Sequence, residues 1–209
     1  MSRPMKNTDK FVIVTGGEYS TEKIDISVFK DSFIIAADSG YDSAKKLNIN
    51  PDLLVGDMDS ISELPKETEI LRVKPEKDDT DTMLALGIAK GRGAREIIIV
   101  GGTGGRIDHL LSNLFMLEAL ETEGIKAKLY DGENLISVLV NGSQTIPHGV
   151  KYFGVIALED SRVTITGCKY PLKDAPLKRT YPYAVSNEVT DDFARVTVCG
   201  RAIVSVTVK

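Results

Sequence analysis

The sequence has no tryptophan and few of the residues that metal sites and disulfides usually require. Cys168 and Cys199 are its only cysteines, and His109 and His148 are its only histidines, among 209 residues. Without closely spaced ligand pairs, these four residues cannot form a structural zinc site. We expect both cysteines to be small buried residues in a reducing compartment.

Long apolar runs are also absent. The longest runs resemble Phe33–Ala37, whereas a transmembrane helix needs roughly 18 apolar residues or more. The segment 1–10 is polar and lacks the apolar core of a signal peptide. A net charge of −4 argues against nucleic-acid binding. We therefore expect a cytoplasmic protein that binds neither nucleic acid nor a membrane.

The composition is that of a globular protein, with 42% hydrophobic and 27% charged residues. A chain of 209 residues forms one large domain or two small ones. The charges are unevenly distributed: residues 1–125 hold 15 Lys and Arg against 22 Asp and Glu, whereas residues 126–209 hold 11 against 8. An acidic half that binds a phosphate substrate would need a divalent cation to bridge the like charges.

Short apolar runs alternate with helical patterns over the first 130 residues, which predicts a doubly wound α/β domain with a mostly parallel sheet. The runs are too continuously apolar for half-exposed strands, so we expect strands buried on both faces. The predicted strands are 11–15, 33–37, 53–55, 70–73, 96–100 and 126–130, and the predicted helices are 41–47, 83–90 and 108–121. In the last helix we expect one buried apolar stripe, formed by Leu110, Leu111, Leu114, Leu117 and Leu120.

The pattern changes after about residue 131. Polar and apolar residues alternate in 162–166, 195–198 and 204–208, and Gly, Pro and Asn separate these runs. Alternation of this kind predicts a small all-β sandwich or barrel. We assign residues 1–131 to the α/β domain and residues 132–209 to the all-β domain.

Acidic residues follow several of the predicted parallel strands. Ligands bind beyond the carboxyl ends of the strands in open α/β sheets, so these residues should converge. They are Asp38, Asp57, Asp59, Asp78, Asp79 and Asp81. Extended backbone would place the members of the pairs 57/59 and 79/81 on one face. Carboxylates held together need a cation, and an all-oxygen site with few histidines and cysteines favours Mg²⁺.

A glycine-rich loop, 101–105, precedes the third predicted helix. The first N–H groups of a helix and its dipole favour phosphate, and Arg106 can pair with phosphate oxygens through its planar guanidinium. The loop alone matches neither the dinucleotide fingerprint nor the Walker A motif. Together with the acidic residues, it indicates a Mg²⁺-dependent enzyme that acts on a phosphate substrate.

Each residue also has a purely structural alternative. Ser60, followed by Glu63, fits a helix capping box. Asp108 can be either the N-cap of its helix or a substrate contact. One of Asp78 and Asp79 can be a solvated loop charge, and His109 can be a surface residue at the start of the helix.

Five motifs, in this order and spacing, resemble thiamine pyrophosphokinases. They are Ala37-Asp38-Ser39-Gly40, Pro51-Asp52-Leu53-Leu54-Val55-Gly56-Asp57-Met58-Asp59-Ser60, Lys77-Asp78-Asp79-Thr80-Asp81, Gly104-Gly105-Arg106-Ile107-Asp108-His109 and Ser186-Asn187-Glu188. The resemblance covers nearly the whole chain. It implies transfer of the pyrophosphoryl group of ATP to the hydroxyl of thiamine, which gives thiamine diphosphate and AMP, by a homodimer with its active site between subunits.

The resemblance also implies roles for particular residues. Asp57, Asp59 and Asp81 would bind Mg²⁺, with Asp38 nearby. The ATP and thiamine region would be lined by Lys77, Asp78, Thr80, Arg106, Asp108 and His109. Ser186 and Asn187 would reach thiamine from the all-β domain of the partner subunit. The resemblance thus implies that residues 1–131 bind ATP and Mg²⁺ and that residues 132–209 bind thiamine and form the dimer. We take Asp108 as the preferred candidate to accept the proton of the attacking hydroxyl.

The sequence departs from the family pattern at two points. Met58 replaces the more frequent Phe, which should alter only packing. No tryptophan is available to cover the thiamine ring, so Tyr181 or Tyr183 is a candidate for that role. Two alternative functions stay open: a pyrophosphokinase for another heterocyclic alcohol, such as a hydroxymethylpterin, and a non-catalytic sensor of a nucleotide or of thiamine diphosphate.

Overall fold

The structure is a computed structural model that describes residues 7–59, 61–62, 64–65, 68–73 and 80–208. It contains two compact units. The first comprises the described residues up to Met116 together with Gly124–Gly132, and the second comprises Leu117–Glu123 and the described residues from Glu133 onward. The assignment of ATP binding to one domain and thiamine binding to the other stays a prediction.

The described residues of the first unit form six parallel strands in the order β4-β3-β2-β1-β5-β6. Their bounds are β1 Lys10–Val14, β2 Phe33–Ala37, β3 Leu53–Gly56, β4 Glu69–Arg72, β5 Glu96–Val100 and β6 Lys126–Tyr130. The predicted strands therefore agree with the structure to within one residue at each end. β1, β2, β3 and β5 are buried almost throughout, as their continuous apolar runs predict.

The prediction of burial on both faces is wrong for two strands. In β6 only every second residue is buried and Lys126 is exposed, and β4 has no buried residue. Among the described strands, β4 pairs with β3 alone and lies at the edge of the parallel sheet. Its Leu71 is 45% exposed. An edge strand has a neighbour on one side only, so an apolar run of two residues does not become buried as it does in the sheet centre.

Among the residues that the structure describes, three α-helices accompany these strands: α1 Gly40–Lys46, α2 Asp81–Gly91 and α3 Ile107–Thr122. Each prediction is right in kind and differs by one or two residues at its ends. The predicted stripe of α3 is partly wrong, because Leu117 and Leu120 are buried whereas Leu111 is 48% exposed. The helix carries apolar residues on more than one side, so periodicity could not select the buried face. No α-helix of the described residues is long and apolar enough to cross a bilayer.

In the second unit, residues up to 208 are described and form seven antiparallel strands: β7 Asn134–Val140, β8 Ser143–Pro147, β9 Tyr152–Ala157, β10 Ser161–Thr166, β11 Leu172–Leu177, β12 Phe193–Cys199 and β13 Arg201–Thr207. β7, β13 and β9 are neighbours in one sheet, and the order of the other sheet is β11-β10-β12-β8. Residues from both sheets share one buried core, which includes Phe153, Val163, Val196 and Val204. The predicted α/β domain followed by an all-β sandwich is confirmed.

Alternation decides which side chains of the second unit are buried. In β12 every second residue is buried, and Cys199 lies on the exposed side. The expectation that both cysteines are buried is therefore wrong for Cys199. Cys168 is buried, and neither cysteine forms a disulfide.

Candidate active site

Three carboxylates meet beyond the ends of β2 and β3, within the first unit. Asp38 directly follows β2, and Asp57 and Asp59 follow β3. Each offers an oxygen atom, and these three oxygens lie within 4.8 Å of one another. Parallel pairing of β2 with β3 brings both strand ends to the same edge, and the backbone N–H of Asp38 donates to the Val55 carbonyl at 2.8 Å.

The turn after β3 differs from the extended backbone expected for the pair Asp57 and Asp59. The backbone N–H of Asp59 donates to the Asp57 carboxylate at 3.1 Å, and Met58 between them has a φ of 71°. Met58 is turned into a small buried cluster with Ala36 and Leu54. Both carboxylates are thereby brought together by a tight turn that one inward-facing side chain anchors.

A close approach of backbone supports this arrangement at Gly56. A Cβ atom on Gly56 would lie 3.1 Å from both Cα and Cβ of Asp38, and Gly56 has a φ of 154°. Asp38 itself adopts a φ of 47°, a conformation that aspartate tolerates better than most residues. A larger residue at position 56 would push against Asp38 and displace its carboxylate.

A cavity of about 470 Å³ lies beside the carboxylates. Most of the described residues that line it are either polar or glycine. The lining consists of Thr15, Gly16, Gly17, Glu18, Ala37, Asp38, Ser39, Thr80, Asp81, Thr82, Gly102, Gly104, Gly105, Arg106, His109 and Asn113. Among these described residues none is Phe, Tyr or Trp, and alanine is the only aliphatic residue, so the cavity suits a polar, charged ligand.

Asp81 reaches the cavity from α2. It is the first residue of that helix, whose N-cap is Thr80, and the Thr80 Oγ1 accepts a hydrogen bond from the Met83 N–H at 3.2 Å. Asp81 and Asp38 line the same cavity, but Asp81 is not a member of the three-carboxylate group. The predicted residues Lys77, Asp78 and Asp79, and the capping candidate Ser60 with Glu63, lie outside the described residues.

The start of α3 presents a charged pair. Arg106 donates from Nε to Oδ1 of Asp108 at 3.1 Å and from Nη2 to Oδ2 at 2.5 Å. The Arg106 guanidinium holds the pKa of Asp108 below its ordinary value, while Asp108 raises the pKa of Arg106. α3 begins at Ile107, so Asp108 lies inside the first turn and is not the N-cap.

Of the residues around this helix start, Arg106 and His109 line the cavity, whereas Asp108 does not. Asp108 is therefore linked to the cavity through its hydrogen bonds with Arg106. Its lowered pKa makes it a weaker base than an ordinary aspartate at neutral pH.

The side chain of Asn187 is buried and hydrogen-bonded inside the second unit. It is 4% exposed; its Nδ2 donates to the Tyr170 carbonyl at 2.9 Å and its Oδ1 accepts from the Tyr170 N–H at 3.1 Å. Its backbone pairs with Phe153 of β9. Ser186, by contrast, is exposed and has a φ of 57°. The predicted pair thus divides into an internal residue and a surface residue.

Three residues of interest lack a clear sequence signal. Tyr170 is 57% exposed, and the Asn187 amide holds its backbone on both sides. Glu18 and Asn113 line the cavity from a loop and from the middle of α3. The predicted ring-covering candidates Tyr181 and Tyr183 pack against each other with ring centres 5.7 Å apart.

Comparison with known proteins identifies the family. Residues 27–129 match the family model described as thiamin pyrophosphokinase, catalytic domain, and residues 143–200 match thiamin pyrophosphokinase, vitamin B1 binding domain. Thiamine pyrophosphokinase of Bacillus subtilis is 33% identical over 165 residues, which cover 74% of this chain and 77% of the relative.

Solved structures agree with this assignment. The crystal structure of thiamine pyrophosphokinase from Bacillus subtilis has a TM-score of 0.84 at 28% identity, over 96% of this chain and 99% of that one. The corresponding structure from Geobacillus thermodenitrificans has a TM-score of 0.80 at 26% identity, over 96% and 98%. Neither a pterin pyrophosphokinase nor a non-catalytic sensor is favoured by these similarities. The chain belongs to the thiamin pyrophosphokinase family and is an enzyme of that type.

Proposed function

We propose that the chain transfers the pyrophosphoryl group of ATP to the hydroxyl of thiamine, giving thiamine diphosphate and AMP, with Mg²⁺ bound at its carboxylates. The observation that carries this proposal is the group formed by Asp38, Asp57 and Asp59 beside a glycine-lined polar cavity. Carboxylates at such a distance suit a cation, and glycine-rich backbone suits phosphate.

The donor atoms fit Mg²⁺. All three are carboxylate oxygens within 4.8 Å of one another, and Mg²⁺ prefers oxygen ligands while it retains several waters. Asp57, Asp59 and Asp38 would hold the ion, and Asp81 would face it or its waters across the cavity. When bound, the ion neutralises charge on the phosphate oxygens of ATP.

The chain's own residues would position the phosphates. Arg106 uses Nε and Nη2 for Asp108, so its Nη1 group would be the one that donates to a phosphate oxygen. Thr80 and His109 line the same cavity and would donate further hydrogen bonds. Asp108 would act by positioning Arg106. The lowered pKa of Asp108 supports this role better than it supports proton abstraction. Lys77 and Asp78 stay proposed ATP-site residues on the sequence motif alone.

In the transfer, the thiamine hydroxyl oxygen bonds to the β-phosphorus of ATP. The bond between that phosphorus and the oxygen bridging to the α-phosphorus breaks, AMP leaves with that oxygen, and the hydroxyl proton is released. Phosphoryl transfer depends on positioning and charge neutralisation rather than on a strong protein nucleophile, so a polar cavity with fixed donors suffices.

The thiamine ring needs a surface that the cavity lacks. Because none of the described lining residues is Phe, Tyr or Trp, we propose that a second copy of the chain supplies a large aromatic side chain. The partner subunit's Ser186 would contact thiamine, and the partner subunit's Asn187 would hold the partner subunit's Tyr170 against the ring. Tyr170 is favoured over Tyr181 and Tyr183 because the Asn187 amide fixes its backbone.

An exposed apolar stripe on α3 supports a homodimer. Ile107, Leu111 and Phe115 are 74%, 48% and 58% exposed, and their spacing of four residues places them on one side of the helix. This stripe begins beside the cavity residue Arg106, so a second copy seated on it would adjoin the cavity. We further propose a cytoplasmic enzyme, in keeping with its two free thiols.

The test is turnover of ATP with thiamine and Mg²⁺, with AMP and ADP resolved by chromatography. We expect AMP and thiamine diphosphate in equal amounts, and no turnover when the cation is removed by a chelator. ADP in place of AMP would contradict attack at the β-phosphorus. Turnover that persists with the chelator would contradict the metal assignment.

A further inference from the structure

Asn113 is a buried polar residue that no sequence motif accounts for. It lies in the middle of α3 and is 6% exposed. Its Nδ2 donates to the carbonyl of Gly102 at 2.8 Å. A buried amide costs free energy unless it is hydrogen-bonded. An apolar residue would suffice for packing at this position of the helix, so packing alone does not explain Asn113.

The position of Asn113 relates it to the cavity. Arg106, His109 and Asn113 are spaced three and four residues apart, which places them on one side of α3, and all three line the cavity. Arg106 and His109 are exposed, whereas Asn113 is buried. The side of α3 that faces the cavity therefore ends in a buried amide that touches the glycine loop 101–105.

This loop is held at successive residues. The N–H of Gly101 donates to the Tyr130 carbonyl at 2.9 Å, and the hydroxyl of Thr103 donates to Asp131 at 2.6 Å. Asn113 holds the carbonyl of Gly102, which lies between them. Since the peptide unit is planar, holding that carbonyl also fixes the direction of the next N–H group.

Ordering a loop of four glycines and one threonine costs much conformational entropy, which contacts of this kind offset. The contact with Asn113 is also tight: a Cβ atom on Gly102 would lie 2.7 Å from Asn113 Nδ2.

We propose that Asn113 is a positioning residue of the ATP site, which keeps the glycine loop in the conformation that receives the phosphate groups. This inference rests on the proposed function. It predicts that loss of the amide weakens the binding of ATP and leaves the binding of thiamine unchanged.

The second unit offers a matched control. Asn187 is equally buried and also donates from Nδ2 to a backbone carbonyl, that of Tyr170. Asn187→Ala removes the same chemical group from the proposed thiamine side. A general loss of stability would affect both variants alike, whereas the two positioning roles predict opposite effects on the two substrates.

The experiment measures KM for both substrates in Asn113→Ala and Asn187→Ala, together with calorimetric binding of ATP and Mg²⁺ in the absence of thiamine. For Asn113→Ala we expect the KM and Kd for ATP to rise on the order of tenfold, as the loss of one hydrogen bond allows, with an unchanged KM for thiamine. Asn113→Leu, which is close in size and removes the donor without adding a charge to the cavity, serves if the alanine variant does not fold.

An unchanged Kd for ATP in the folded variants would overturn the proposal, as would an equal rise in both KM values. If the wild-type chain binds ATP but forms no thiamine diphosphate, the proposed function fails while calorimetry still decides the role of Asn113. A wild-type chain that binds no ATP overturns both.

Discussion

Asp38, Asp57 and Asp59 place three carboxylates within 4.8 Å of one another, and their mutual repulsion costs stability in the absence of a cation. The three carboxylates lie close together because the backbone places them there, at the ends of the paired strands β2 and β3. At the scale of single residues, activity and stability should therefore respond to substitution in opposite directions.

Asp57→Asn tests this expectation. We predict a fall in kcat of about 10² or more, the typical effect of losing one preorganised electrostatic partner. The melting temperature without metal should stay unchanged or rise, because one repelling charge is removed. Asp192→Asn, at an exposed position of the second unit, is the control and should alter neither quantity. Near-normal turnover of Asp57→Asn would show that Asp57 is no metal ligand.

The pair Arg106 and Asp108 predicts a dependence on pH. Arg106 lowers the pKa of Asp108, so the folded chain binds that proton less tightly than the unfolded chain does. The pair's contribution to stability is therefore present above the ordinary aspartate pKa of about 4 and is lost as the pH falls through the lowered value. Both side chains are more than 60% exposed, so the contribution is small.

Carboxyl-carbon NMR titration of wild type and Arg106→Ala measures this effect directly. The Asp108 pKa should move up toward its ordinary value in the variant. It should not appear between pH 5 and pH 8 in the pH–rate profile of the wild type. A rate limb in that range that disappears in Asp108→Asn would instead identify Asp108 as the base.

Secondary structure elements depend on close backbone contacts that single glycines permit. Gly40 begins α1, and a Cβ atom there would lie 2.0 Å from the Val14 carbonyl of β1. Gly87 lies in the middle of α2, where a Cβ atom would meet nothing within 4 Å. At the scale of elements, the same substitution should therefore have opposite consequences in two helices.

We predict that Gly40→Ala lowers the free energy of unfolding by about 1–3 kcal/mol, since the helix must shift from the strand. Gly87→Ala should raise it by up to about 1 kcal/mol, because alanine favours the helical backbone. Urea denaturation of both variants measures the difference. Equal effects would mean that α1 does not pack against β1 as the structure describes.

At the scale of the whole molecule, the part of the chain that the structure describes leaves the apolar stripe Ile107, Leu111 and Phe115 exposed. Large exposed apolar residues in helical register mark an interface in a soluble protein. In the proposed homodimer this stripe contacts the second copy, and catalysis depends on that contact because the partner covers the thiamine ring.

Leu111→Glu combined with Phe115→Glu should therefore convert a dimer into a monomer in sedimentation and abolish thiamine diphosphate formation. ATP binding should persist, since the carboxylates and the glycine loop belong to one chain. Ile26→Glu, which alters an equally exposed apolar residue elsewhere in the first unit, should leave the dimer intact. A wild-type monomer with full activity would contradict the shared site.

Local patterns along the chain were sufficient to predict most elements of this protein. The continuous apolar runs of β1 and β2 predict buried parallel strands, and the alternation in β12 predicts a strand with one buried face. Such patterns arise because burial of each residue follows from its neighbours at a fixed period. The five motifs likewise predicted the family, which the comparisons confirm.

Only the tertiary structure decided which groups meet. It placed Asp38 with Asp57 and Asp59 because β2 pairs with β3, and strand order is not encoded in any local period. It exposed Leu111 of α3 and buried Asn113, a choice that a helix apolar on several sides leaves to its neighbours. It also turned the Asn187 amide inward to Tyr170. Contacts between residues distant in sequence depend on how the elements pack, so no pattern within one element could reveal them.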